Sequence, residues 1–216
     1  MTLRELEQLV GLGEGLSLEF KRQVPRPERI AKEVVALANT HGGRIVLGVD
    51  DDGTITGVND ASEEKFLLHQ ATQAHCSPAV EYSTKRVVVG DRRDVLVVVV
   101  PESQTKPHFV VPEPSSSNGG GPAYVRVEER SVEASDETVQ QLREQVPSGS
   151  VTFEFGETES LLMRYLDDYG RITVPQLAQL ADIPPERASQ TLLRLTRADL
   201  LRLHADEEGD YFTLGY

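Results

Sequence analysis

The first fifty residues carry acids and cations at spacings that could handle a phosphodiester. Leu16, Leu18 and Phe20 alternate with Ser17, Glu19 and Lys21, so Glu19 projects from the polar face of a strand. Glu14 lies five residues earlier, with Gly15 free to bend the chain toward the same face. Asp50 and Asp51 leave the end of an apolar run, Arg44 to Val49. Two Glu and one Asp converging there would bind a hard cation through oxygen, and a bound metal could activate water. The same acids could equally be solvated or paired with Lys21, Arg22 or Arg44. The cations pose a parallel choice. Lys21-Arg22, Arg26, Arg29 and Lys32 cluster in sequence, as do Arg92-Arg93, and Lys106, Arg126 and Arg130 flank a Pro/Ser/Gly-rich stretch. Several of these in one groove would track a phosphate backbone; taken singly, each is an ordinary surface ion pair.

Other chemistries find little support. Gly11-Leu12-Gly13-Glu14-Gly15 is not a dinucleotide fingerprint, and Gly43 to Gly48 has phosphate-loop spacing but continues Val49-Asp50 where Lys-Ser/Thr is required. Asp50-Asp51-Asp52-Gly53 hints at a calcium loop whose first and last positions, Gly48 and Asn59, do not suit the ion. No Ser-His-Asp set stands out among the five His, and a single cysteine, Cys76, rules out an internal disulfide or a cysteine zinc cage. The net charge of −13 opposes indiscriminate polyanion binding, although a local basic groove survives because screening acts over about 8 Å. No apolar run approaches the ~18 residues of a membrane span, and the acidic start is not a secretory signal. A cytoplasmic protein without membrane partners is expected.

The elements that must position these residues read as α+β. Helical spacing over Ile30, Val34, Leu37 and Ala38 stops at Gly42-Gly43, and Arg44–Val49 reads as a central strand. Asp51-Asp52-Gly53-Thr54 reads as a hairpin turn, followed by a helix from about Ser62 to Ala74. Arg86–Val89 and Val95–Val100 form a second hairpin, and Tyr124–Val127 alternates again. A helix over about Asp136 to Val146 then leads to Pro147-Ser148-Gly149-Ser150. Two domains are expected, 1–147 and 151–216. Pro112 to Pro122 is expected to be a loop within the first.

The second domain shows three apolar stripes and a hairpin. Leu161, Leu162, Tyr165, Leu166 and Tyr169 stripe one helix; Val174, Leu177, Ala178 and Ala181 a second; Ala188, Leu192 and Leu195 a third. Leu200–His204 and Tyr211–Leu214 flank the acidic tip Asp206-Glu207-Glu208-Gly209-Asp210. This order predicts a small winged helix-turn-helix, with a helical docking or dimerisation module as the alternative. Arg187, Gln190, Thr191, Arg194 and Arg197 lie away from the third stripe, where a recognition helix offers base and phosphate contacts.

Glu14-Gly15-Leu16-Ser17-Leu18-Glu19-Phe20-Lys21 resembles the ExxxxEFK opening of the Schlafen AlbA-like (divergent AAA) domain. The likeness continues through Ala36–Gly43, Gly48–Gly53, Ile55–Val58, Lys106-Pro107 and Tyr124-Val125-Arg126. It implies a mixed sheet with helices. It also implies a DNA-binding transcriptional regulator, because microbial members commonly carry a C-terminal helix-turn-helix. Lys21, Arg22, Arg44, Lys106 and Arg126 are the candidate contacts of the first domain. Animal relatives with nuclease activity use two Glu and one Asp, which fall here on Glu14, Glu19 and Asp51, with Asp50 beside it. The alternative is therefore an RNA endonuclease with Mg²⁺ or Mn²⁺ on those residues. A third reading is a protein-interaction module without nucleic-acid binding, which the acidity favours. Animal Schlafen domains resemble two such lobes in one chain, so a single lobe implies a homodimer. Val127-Glu128-Glu129-Arg130 departs from the family's small, glycine-containing turn.

Overall fold

The computed structural model describes residues 1–90, 93–111, 121–144 and 156–215. The expected turn at Asp91-Arg92, most of the Pro112–Pro122 stretch and the Pro147–Ser150 boundary lie outside these. The described residues divide into two compact units, Met1–Glu133 and Ala134–Tyr216.

The first unit opens with α1 (Leu3–Val10), β1 (Leu18–Lys21), α2 (Pro27–Asn39) and β2 (Gly43–Leu47). It continues with α3 (Ala61–His75), β3 (Cys76–Ser77), β4 (Ser83–Gly90), β5 (Arg93–Val100), β6 (Phe109–Val110), β7 (Tyr124–Val127) and β8 (Arg130–Glu133). Sheet order is β1-β2-β5-β4, with β1 parallel to β2 and the other pairs antiparallel. A parallel pair needs a crossover, and α2 supplies it. The period of two sorts the core. Ile45, Leu47, Leu96 and Val98 face α2 and α3, while Phe20, Val46, Val95 and Val97 face Leu6 and Val10 of α1. The mixed α+β architecture is as expected, and β2 is indeed central. Besides the short β3–β6 pair, two features were not assigned from sequence. One is α1, fixed by a capping box between Thr2 and Glu5. The other is the β7–β8 hairpin, whose Arg126 helps bury the polar face of β1, so that Glu19 is 6% exposed where a half-open strand was expected.

The second unit holds α4 (Asp136–Arg143), α5 (Glu157–Tyr169), α6 (Val174–Ala181), α7 (Pro185–Arg197), β9 (Leu201–His204) and β10 (Tyr211–Leu214). Leu162, Leu166, Leu177, Leu192, Leu195 and Phe212 form its core. Ile172 pairs with Phe212 beside the antiparallel β9–β10 ribbon. Asp182, in the left-handed region at φ 52°, ends α6, and Pro184-Pro185 starts α7. The helix at 136 was expected to close the first domain. It groups with the second unit because Ser135 and Thr138 donate to the carboxylate of Asp210, and Ser189 donates to Glu137 at 2.7 Å.

Candidate nucleic-acid interface

At the β1 edge, charge is internally compensated. The Arg126 side chain is fully buried. Its Nη1 donates to Glu19 Oε2 at 2.8 Å, to Glu33 Oε2 at 3.1 Å and to Ser131 Oγ at 3.3 Å, and its Nη2 donates to the Gly15 carbonyl at 2.7 Å. Lys21 Nζ donates to the other Glu19 oxygen at 2.5 Å and to Phe20 O at 2.8 Å. Burial alone would lower the Lys21 pKa, but Glu19, Glu33 and Glu14 together hold the ammonium above its ordinary value. Glu14 accepts the Phe20 N–H at 2.7 Å. Burial pushes its carboxyl up against that bond, and the charges of Glu19 and Asp51 push the same way.

Glu14, Glu19 and Asp51 therefore share one electrostatic neighbourhood. Their arrangement does not fit Mg²⁺ or Mn²⁺, since both Glu19 oxygens already hold cationic nitrogens where a metal would need them. Among the described residues, no group of three or more His, Cys, Asp or Glu is placed to hold a metal ion.

The five cations expected to contact nucleic acid in this unit separate by exposure. Arg22 is solvent-exposed, with Asp50 at 3.8 Å, and Arg44 is exposed. Lys21 is partly exposed and bonded as above. Lys106 and Arg126, two of the candidate contacts, are turned inward. Lys106 Nζ donates to the Thr40 carbonyl at 2.7 Å and to Glu102 at 2.6 Å, its side chain only 7% exposed.

Sequence reasoning missed the residues that hold these loops. Asn39 Nδ2 donates to the carbonyls of His108 and Tyr124, both at 2.9 Å, and its Oδ1 accepts His108 N–H at 2.8 Å. Thr40 Oγ1 accepts the Arg126 N–H at 2.8 Å. His108 donates from Nδ1 to the Pro78 carbonyl at 2.9 Å, and its Nε2 is hydrogen-bonded with the Ser103 hydroxyl at 2.6 Å. Asn39 ends a helix and His108 lies in a short irregular segment, so neither shows a periodicity that would reveal the pairing.

In the second unit, Arg187 and Gln190 are exposed on α7. Arg194 is 49% exposed and pairs with Glu159; Arg197 is 46% exposed and takes Glu144 through Nε and Nη2, the latter at 2.6 Å. Thr191 is buried and spends its hydroxyl on the Arg187 carbonyl at 2.9 Å. It was expected on the open face and is buried at the side of it. All five line a groove between Gln140 of α4 and Thr158 of α5.

The family model described as Schlafen, AlbA_2 matches residues 14–135. The chain belongs to the Schlafen AlbA_2 family. The AlbA_2 match spans nearly all of the first unit and stops where the second begins. Among solved structures, the N-terminal domain of a RecG-related protein from Nitrosomonas europaea is 25% identical, with 56% of this chain and 85% of that one covered and a TM-score of 0.41. A protein from Corynebacterium diphtheriae is 19% identical over 93% of this chain, with a TM-score of 0.42. The aligned chain spans about a third, 34%, of that protein's length. No curated protein matches significantly.

Within the AlbA_2 domain, the blocks that carried the resemblance have structural work. Gly42 sits at φ 70°, and a Cβ there would lie 2.5 Å from the Glu102 backbone nitrogen. Asn39, Thr40 and Arg126 tie α2, the 103–108 segment and β7 together. No helix among the described residues is long and apolar enough to cross a membrane.

Proposed function

We propose that this AlbA_2 chain is a nucleic-acid-binding protein, a DNA-binding transcriptional regulator. In this reading residues 156–215 form a winged helix-turn-helix and α7 is the helix that enters the major groove. The observation that carries it is the side of α7 opposite Ala188, Leu192 and Leu195, where Arg187, Gln190, Arg194 and Arg197 are exposed together. Arginine can read guanine and glutamine adenine through paired hydrogen bonds, each worth about 1–3 kcal/mol of discrimination. The run α5, Ile172 pairing, α6, turn, α7 and β9–β10 ribbon supports the same assignment.

In the first unit, exposed Arg22 and Arg44 are the better candidates for phosphate contact, since Lys106 and Arg126 would have to abandon internal partners. A metal-dependent RNA endonuclease is less well supported, because Lys21 and Arg126 occupy Glu19. Binding of a mixed-sequence DNA duplex by fluorescence anisotropy tests the reading. Arg187→Ala with Gln190→Ala should lower affinity at least about tenfold. Affinity unchanged by this pair, with the fold intact, would remove α7 as the contacting helix.

A further inference from the structure

Three polar contacts of α7 are made to carboxylates of its own unit. Glu159 takes Arg194, Glu144 takes Arg197 side-on, and Glu137 accepts from Ser189 at 2.7 Å. A carboxylate presented to the edge of a guanidinium offers two oxygens in the geometry a phosphate would offer. Two of these three acids, Glu137 and Glu144, are presented by α4 and the residue that follows it.

Polar contacts anchor both ends of α4. Thr138 is its one buried residue, and the helix is eight residues long, too short to persist without tertiary support. Its beginning is anchored, because Ser135 and Thr138 both donate to Asp210. Its end is held by the Arg197 pair, whose members are 46% and 32% exposed. Such exposed pairs stabilise little and are screened by salt. Glu159 differs. Its side chain is 9% exposed, and it also accepts the Gly156 N–H at 3.0 Å, so its grip on Arg194 is part of the folded unit. Arg197 is the cation that can change partners.

We propose that α4 is an autoinhibitory arm: Glu144 occupies Arg197, an α7 cation that would meet a phosphate backbone, while Glu137 holds α4 to Ser189, and nucleic acid binds by displacing the C-terminal end of α4 from Arg197. The inference rests on the reading of α7 as the contacting helix. It adds that the free protein is held in a weaker-binding state, which a modification or partner acting on α4 would relieve.

The test uses the full chain and a mixed-sequence DNA duplex over a salt series. Glu137→Gln with Glu144→Gln should tighten binding by up to about fivefold, the most that an exposed ion pair is worth. The salt slope should change little, because Arg197 meets phosphate in both complexes and only the cost of freeing it is removed. Glu128→Gln with Glu129→Gln makes the same charge change on an exposed turn of the first unit and should have a smaller effect. Equal tightening by both pairs would reduce the effect to net charge and overturn the arm. In the unsubstituted chain, amide exchange over Val139–Arg143 should accelerate on saturation with DNA; unchanged or slowed exchange there also overturns it. If Arg187→Ala and Arg197→Ala lower affinity while the α4 pair is silent, the arm falls and α7 remains the contacting helix. If the arginine variants are silent too, or no DNA is bound, both fall together.

Discussion

Arg126 shows how much a residue's role depends on what the fold places around it. In sequence it is a cation on an alternating strand, equally suited to a phosphate groove. In the structure it is fully buried between Glu19 and Glu33 and also holds the Gly15 carbonyl. Removing one partner of a buried pair leaves the others uncompensated, which costs about 3–5 kcal/mol. Arg126→Met should therefore lower the urea midpoint strongly, with the loss persisting at high salt because the pair is shielded. A midpoint within error of the unsubstituted chain would mean the network is not a structural one. Glu14 should behave oppositely. Its carboxyl titrates above the ordinary value, chiefly because burial penalises the charge. The folded state then binds the proton more tightly than the unfolded chain, so this group's contribution to stability falls as pH rises from the ordinary value through the raised one. Glu14→Gln keeps an oxygen for the Phe20 N–H and removes that penalty. Stability at pH 7 should be unchanged or higher, and the acid-side slope should flatten. A marked loss at pH 7 would show that the ionised carboxylate has a partner it needs.

At the scale of elements, what holds each one decides which could be read in advance. The α2 helix and strands β2 and β5 follow from apolar spacing, because their burial is repeated along the chain. The stripes of α5, α6 and α7 were legible for the same reason, save that Tyr169, read into the α5 stripe, is 69% exposed. The burial of β1's polar face was not, since it depends on Arg126, 107 positions away from Glu19. Nor was the grouping of α4, which rests on hydroxyls finding Asp210. The candidate site was legible as residue types, and its exposed and buried members were not, because Lys106 and Arg22 look alike until their neighbours are known. Two expectations belong here. Asn39→Ala would strip partners from the His108 N–H and from the His108 and Tyr124 carbonyls. Each orphaned group costs about 1–3 kcal/mol, so calorimetry should show a large drop in the melting temperature of the first unit. A small change would mean that water replaces the amide. In the hairpin, the four acids are not equivalent. Glu208 is exposed, whereas Asp210 accepts from Ser135 and Thr138. Glu208→Ser should leave stability unchanged, while Asp210→Ala should loosen α4 and speed its amide exchange. Equal effects from the two would contradict this division.

For the whole molecule, the proposed function requires a chain of net charge −13 to engage a polyanion. The mean field opposes approach, so binding has to come from a few exposed cations, and each phosphate neutralised releases about one counterion. One α7 offers Arg187 and Arg197 as its outermost cations, a small footprint for a specific complex. Self-association would double it. Two helix-turn-helix modules related by a two-fold axis read half-sites about 34 Å apart, and the operator then mirrors the protein's symmetry. We therefore expect a homodimer, with light scattering giving about twice the 23.8 kDa of the single chain. A palindromic duplex should bind two chains, more tightly than either half-site alone, with a salt slope about double that of the half-site. The doubled slope is the sharper observable, because it counts phosphate contacts and is indifferent to which sequence is used. A single-chain mass at tens of micromolar, together with one chain per duplex and equal slopes on whole and half sites, would sink the dimer. The α7 variants would then still decide whether the monomer contacts DNA at all.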